Sequence, residues 1–192
     1  MTGMSSLPRP GADEHHEDYS QYADIVPDGD IVETLRVQME TTLELLGSVS
    51  EEQETFRYAD GKWSIREVVG HLIDTERLFA FRALTFAREG GAELPGMDPE
   101  GWGRRNTAHE RTLEDLADEW SALRHANLHL FSSFDTDAGA HTGVASGKAF
   151  SVRSFPWIIA GHELWHRRLI VRDYLRQDSA TTQVPGELED SA

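Results

Sequence analysis

The residues His162-Glu163-Leu164-Trp165-His166 carry the densest chemistry in the chain. Side chains four apart on a helix stack one turn above the other, about 6 Å between Cβ atoms, so two imidazoles there can share one divalent metal ion. The string also reads H-E-x-x-H, a pattern in which the histidines hold zinc and the glutamate acts as general base in metalloproteases. That reading needs a third ligand beyond His166. Position 169 is Leu where one such pattern wants Gly, no histidine follows, and Glu187 and Glu189 fall in a Pro- and Gly-containing tail. No stretch alternates in the manner of an edge strand that could hold a peptide. The zinc-protease reading therefore ranks last.

A third imidazole lies earlier in the chain. His71 projects roughly 80° from the centre of its helix's apolar stripe, counting 100° per residue, and so faces a neighbouring helix rather than open water. Three imidazoles with one open position are the ligand set of catalytic zinc, and neutral imidazole serves other transition metals as well. Zinc or nickel is the leading ion, with iron or manganese behind. Such an ion turns water or a thiol into a nucleophile near neutral pH. Glu163 and Asp74 stand close to the ligands in sequence and are candidates to orient the imidazoles. Their plainer reading is as helix-surface carboxylates. His125 and His129 repeat the four-residue spacing but point away from their stripe, as an exposed pair. His15 and His16 are adjacent, point apart on any helix, and belong to a polar tail.

Four amphipathic helices must position these groups. Asp30 caps a helix from Ile31 to near Gly47, with Leu35, Met39, Thr42, Leu43 and Leu46 at threes and fours. Ser64 and Glu67 form a reciprocal capping box that opens a helix running to about Arg88. Thr112 caps a third, with Leu113, Leu116, Trp120, Leu123, Leu130 and Phe134 in its stripe. Asn127 falls in that stripe and needs a partner. The fourth starts between Ser151 and Pro156, since Pro is tolerated only in the first turn, and runs to about Arg176. Residues 48–62, 89–111 and 135–150 read as a polar crossover and two long loops. The expectation is an all-α four-helix bundle over residues 19–177, a disordered tail over 1–18 and a polar tail over 178–192.

The totals limit what such a bundle does. The chain has 192 residues, 34 acidic against 18 basic, a net charge of -16 and no cysteine. An acidic surface repels phosphate backbones, which disfavours DNA or RNA as partner. No apolar run approaches the roughly 20 residues that cross a bilayer, and the first residues lack the basic flank and apolar stretch of a secretory signal. The expectation is a cytoplasmic protein with a small-molecule substrate, no membrane or nucleic-acid partner, and a homodimer through an exposed helix face as an option. Without catalysis, the same features would suit a metal-binding or stress-response protein.

Several strings resemble one family. They are Tyr58-Ala59-Asp60-Gly61-Lys62-Trp63-Ser64, Val69-Gly70-His71-Leu72-Ile73-Asp74-Thr75-Glu76-Arg77, Phe81-Arg82-Ala83-Leu84 and Ala160-Gly161-His162-Glu163, with Val26-Pro27-Asp28-Gly29-Asp30 and Leu94-Pro95-Gly96-Met97-Asp98. Together they resemble the DinB-like (DinB/YfiT-type) superfamily over about residues 19–176. The resemblance implies an up-up-down-down four-helix bundle and a metal held by three histidines, which map onto His71, His162 and His166. It departs at Trp165, where relatives often carry another histidine just before the last ligand. Members include thiol S-transferases that use bacillithiol or mycothiol, a mycothiol-dependent isomerase and proteins regarded as metal hydrolases. The implied activity is thus a metal-dependent thiol transferase or hydrolase, with a low-molecular-weight thiol as candidate cosubstrate.

Overall fold

Four long helices carry the structure, each starting where the caps require. The computed structural model describes residues 7–175, so the tail expected over 178–192 lies outside the described residues. After α1 (Ser20–Ala23) comes α2 (Ile31–Gly47), whose Asp30 side chain accepts from the amides of Val32 and Glu33. A short α3 (Glu51–Thr55) interrupts the crossover. The next helix, α4 (Ile65–Arg88), opens on the reciprocal Ser64–Glu67 box. Further on come α5 (Pro99–Arg105), α6 (Leu113–Ser132) with its Thr112 cap, α7 (Thr136–Ala140) and α8 (Ser154–Leu169). A π-helical turn, Ile170–Leu175, continues α8.

The four long helices pack as a ring in which α2 touches α6 and α8, and α4 touches the same two. Their sense follows from two apolar clusters, one at each end of the bundle. One holds Leu35, Phe79, Phe86, Phe131, Phe155 and Trp157. The other holds Leu46, Ile65, Val69, Leu116, Trp120 and Ile170. Thus α2 and α8 run from the first cluster to the second, and α4 and α6 run back. Around the ring from α8 the order is up-up-down-down; in chain order it is up, down, down, up, because the 48–64 crossover joins two helix ends that lie together.

Two regions depart from the sequence expectation. Residues 7–18, expected as a disordered tail, form a strap across the start of α8. Leu7 is 1% exposed, its carbonyl accepts from the Trp157 indole, and Arg9 lies 4.2 Å over the Trp157 ring. The strap ends in an ion pair of Glu14 with Arg153, 2.7 Å. His15, expected to be exposed, is buried, and neither of its ring nitrogens has a hydrogen-bond partner among the described residues. A polar composition concealed this, because a few anchors rather than a periodic stripe hold the segment.

The two long loops also meet in a small sheet that was not expected. Its strands are β1 (Glu93–Leu94), β2 (Thr142–Ala145) and β3 (Lys148–Ser151). β1 pairs in parallel with β2, Glu93 opposite Val144, and β2 is antiparallel to β3, Gly143 opposite Phe150. Ser146 and Gly147 both take positive φ in the two-residue hairpin turn, the geometry that matches strand twist. The sheet covers the end of the bundle that holds Phe86 and Phe155, where Phe150 stacks on Phe155.

Candidate metal centre

Each sequence-predicted histidine has a definite place. His71 sits two turns into α4; His162 and His166 sit on successive turns of α8, which runs antiparallel to α4. The Nε2 atoms of His71 and His162 are 3.1 Å apart, and those of His166 and His162 also 3.1 Å. Each of the three rings offers a nitrogen, and these lie within 4.8 Å of one another, the one such group of three among the described residues. Ligand nitrogens about 2.05 Å from one ion stand about 2.9 Å apart at right angles and about 3.3 Å apart at the tetrahedral angle. The two spacings to His162, both 3.1 Å, fall between these values. A hydrogen-bonded trio would serve less well, because a neutral imidazole has a single N–H and cannot satisfy three converging nitrogens at once.

Burial keeps these rings in the ligand form. Desolvation lowers the His71 pKa to about 4. His166 falls to about 3, from burial first and then from the His71 ring. His162 is held well below its ordinary value, again chiefly by burial. All three are neutral at pH 7, with lone pairs available. Thr75 lies 3.4 Å from Nδ1 of His71. Nδ1 of His166 is buried with no hydrogen-bond partner among the described residues.

Neighbouring elements hold the rings in place. Tyr22 of α1 meets the His162 ring edge-on at 5.2 Å, Trp63 lies 4.9 Å from His71 and Trp165 lies 4.9 Å from His166. Gly161 explains how α1 comes so close: a Cβ there would collide with the Tyr22 carbonyl.

The two carboxylates proposed to orient the imidazoles do something else. Glu163 is no surface residue but 1% exposed. Its oxygens accept from the Thr42 hydroxyl and from Arg124, both at 2.7 Å. Asp74 accepts from Asn106 at 2.8 Å, and its pKa is raised by burial. Arg124 is the residue that sequence reasoning missed. Fully buried, it forms a fork with Glu76 at 2.7 and 2.8 Å, while Trp120 and Asn127 also donate to Glu76. That supplies the partner Asn127 needed. The signal was present: Arg124 stands in phase with Leu116 and Trp120, Glu76 with Leu72 and Phe79. His125 and His129 are exposed, as expected.

A cleft of about 210 Å³ opens beside His166, walled by Tyr58, Trp63, Val68, Trp165 and Tyr174. A larger groove, about 490 Å³, runs along α2, α3 and α6, but among the described residues no imidazole lines it.

The fold is thus a four-helix bundle in which two antiparallel helices bring together three neutral imidazoles that could hold a metal ion. The DinB superfamily model matches residues 34–170, and the chain belongs to that superfamily. None of the curated proteins matches it in sequence. Among solved structures it is similar to YfiT from Bacillus subtilis, described as a probable metal-dependent hydrolase with an unusual four-helix bundle topology. That likeness has a TM-score of 0.65 at 15% identity, over 88% of this chain and 93% of the other. At that identity it shows a shared fold. No helix of the described residues is long and apolar enough to cross a membrane.

Proposed function

We propose that the chain is a metal-dependent enzyme of the hydrolytic kind, with His71, His162 and His166 holding one divalent ion. The observation that carries this reading is the convergence of three neutral Nε2 atoms, two on buried rings and one on the half-buried His71, next to an open cleft. The all-imidazole donor set suits zinc or nickel, and also iron. A bound divalent ion supplies Lewis acidity, lowering the pKa of water or a thiol toward neutrality. The protein's own part is to keep three lone pairs free and to orient the rings by Tyr22, Trp63 and Trp165. YfiT's description supports the same class of reaction.

Thiol transfer is the second reading, and one observation favours it. No carboxylate lines the cleft among the described residues, and both Glu163 and Asp74 are bonded elsewhere. A thiol activated at the metal needs no side-chain base, whereas hydrolysis commonly uses one.

Metal analysis tests the site. Wild-type protein should hold one equivalent of ion after dialysis, and His71→Ala and His166→Ala should hold far less. Full occupancy in both variants sinks the site. Turnover of esters, amides or electrophile–thiol pairs that a chelator abolishes supports the enzyme. Metal bound with no turnover across such a panel points to a binding protein instead.

A further inference from the structure

The cleft beside His166 has a charge pattern at odds with the molecule around it. The chain is strongly acidic and has only two lysines, Lys62 and Lys148. Lys148 pairs with Asp18. Lys62 lies on the cleft rim and is exposed, makes no ion pair among the described residues, and sits 5.9 Å over the Tyr58 ring. Among the described residues it is the one cation lining a cleft without carboxylates, which Trp165, 41% exposed for so large an apolar side chain, also lines.

The rim is also built rather than loose. Arg57 donates to the Lys62 carbonyl at 2.6 Å and pairs with Glu67 of the α4 capping box at 2.7 Å. Tyr174 donates to the Trp63 carbonyl at 2.5 Å, which ties the segment bearing Lys62 and Trp63 to the turn after α8. Gly61 takes a φ of 74° and lets the chain turn just before Lys62.

We propose that this cleft binds a small organic anion with a flat apolar body, its charged end on Lys62 and its body against Trp63 and Trp165. An aromatic carboxylate is the simplest member of that class. The inference rests on the metal reading in one respect: the end of the ligand away from Lys62 points to His166 and hence to the ion. The volume, small among ligand sites, matches a single small molecule.

The test uses the full-length zinc-loaded protein, with 3-phenylpropionate and its amide as probes, read by tryptophan fluorescence and calorimetry. The acid should bind about tenfold more tightly than the amide, the worth of one charge-assisted hydrogen bond. Lys62→Gln should bring the acid down to the amide, Lys62→Arg should keep the preference, and Trp165→Ala should weaken both probes. Equal binding of acid and amide by wild type, no binding of either, or an unchanged preference in Lys62→Gln overturns the proposal. A preference lost in metal-free His71→Ala but kept in Lys62→Gln also overturns it, since the carboxylate then goes to the ion. Wild-type protein that holds no metal sinks the metal reading alone, because the Lys62 comparison still reads out.

Discussion

A neutral imidazole shielded from water is a liability until something binds its lone pair, and this site has two that are buried and a third, His71, that is half-buried. Unfolded histidine takes up a proton near pH 6.5, folded His71 only near 4 and His166 near 3. Between those values the unfolded chain binds more protons, so acid favours unfolding. The stability these groups lend is therefore whole above the unfolded pKa and is lost as pH falls from about 6.5 toward 4. Each ring contributes a slope of about 1.4 kcal/mol per pH unit in that window. Urea midpoints of metal-free protein at pH 7.5, 6.5, 5.5 and 4.5 should fall steeply below 6.5, and His71→Ala should flatten the fall. Identical slopes would mean that His71 titrates freely in the folded state. Saturating metal should raise stability at pH 7.5 by about 2.7 kcal/mol at a hundred times its dissociation constant, and its loss in acid should track the same window, since protons compete for the same nitrogens.

The elements hold these residues by a layer of polarity rather than by apolar packing. Between the two apolar clusters every long helix turns polar inside: Gln38 and Thr42 on α2, Glu76 on α4, Arg124 and Asn127 on α6, His162 and Glu163 on α8. Arg124 joins three other helices at once, through Glu76, Glu163 and the Leu35 carbonyl. Removing it leaves two carboxylates buried without their cation, so Arg124→Ala should cost about 3–5 kcal/mol. The triple change Arg124→Met, Glu76→Gln, Glu163→Gln should recover much of that, because no charge remains buried. Chemical denaturation of both checks it, and a triple variant no better than the single one would refute the charge argument. Gly161 sets the other contact that matters. Gly161→Ala over-packs α1 against α8 and should cost about 1–3 kcal/mol, with weaker metal binding because Tyr22 no longer braces His162. The helix starts were legible because Asp30, Ser64 and Thr112 signal locally. The polar layer was not, although its charges sit in phase with the apolar stripes, because which carboxylate meets which arginine is decided by contacts between helices far apart in sequence.

Across the whole molecule, the converging histidines and the helices that carry them were readable from spacing and resemblance, while the parts that close the ends were not. Strands of two to four residues carry no periodic signal. The pairing of residue 93 with residue 144 is non-local, so the sheet could not be read from either loop. The strap had the same defect: 7–18 is polar, and its anchors are single residues. Yet those anchors connect directly to the site. Arg9 donates to the Ala23 carbonyl at 2.8 Å and reaches Asp28 at 2.7 Å, which fixes the end of α1. That short helix in turn presses Tyr22 on Gly161 and His162. Burying Leu7 is worth about 2 kcal/mol, and the ion pairs of Arg9 and Glu14, partly exposed, add up to about 1 kcal/mol more. Deleting residues 1–18 should therefore lower stability by about 3 kcal/mol, a melting shift of roughly 6–12 °C for a chain of this size. It should also weaken metal binding, although the deleted segment contributes none of the three converging imidazoles. A deletion that melts within about 1 °C of the full chain would mean that the strap is dispensable. One that loses stability but keeps full metal affinity would show that α1 holds its place on Gly161 without it.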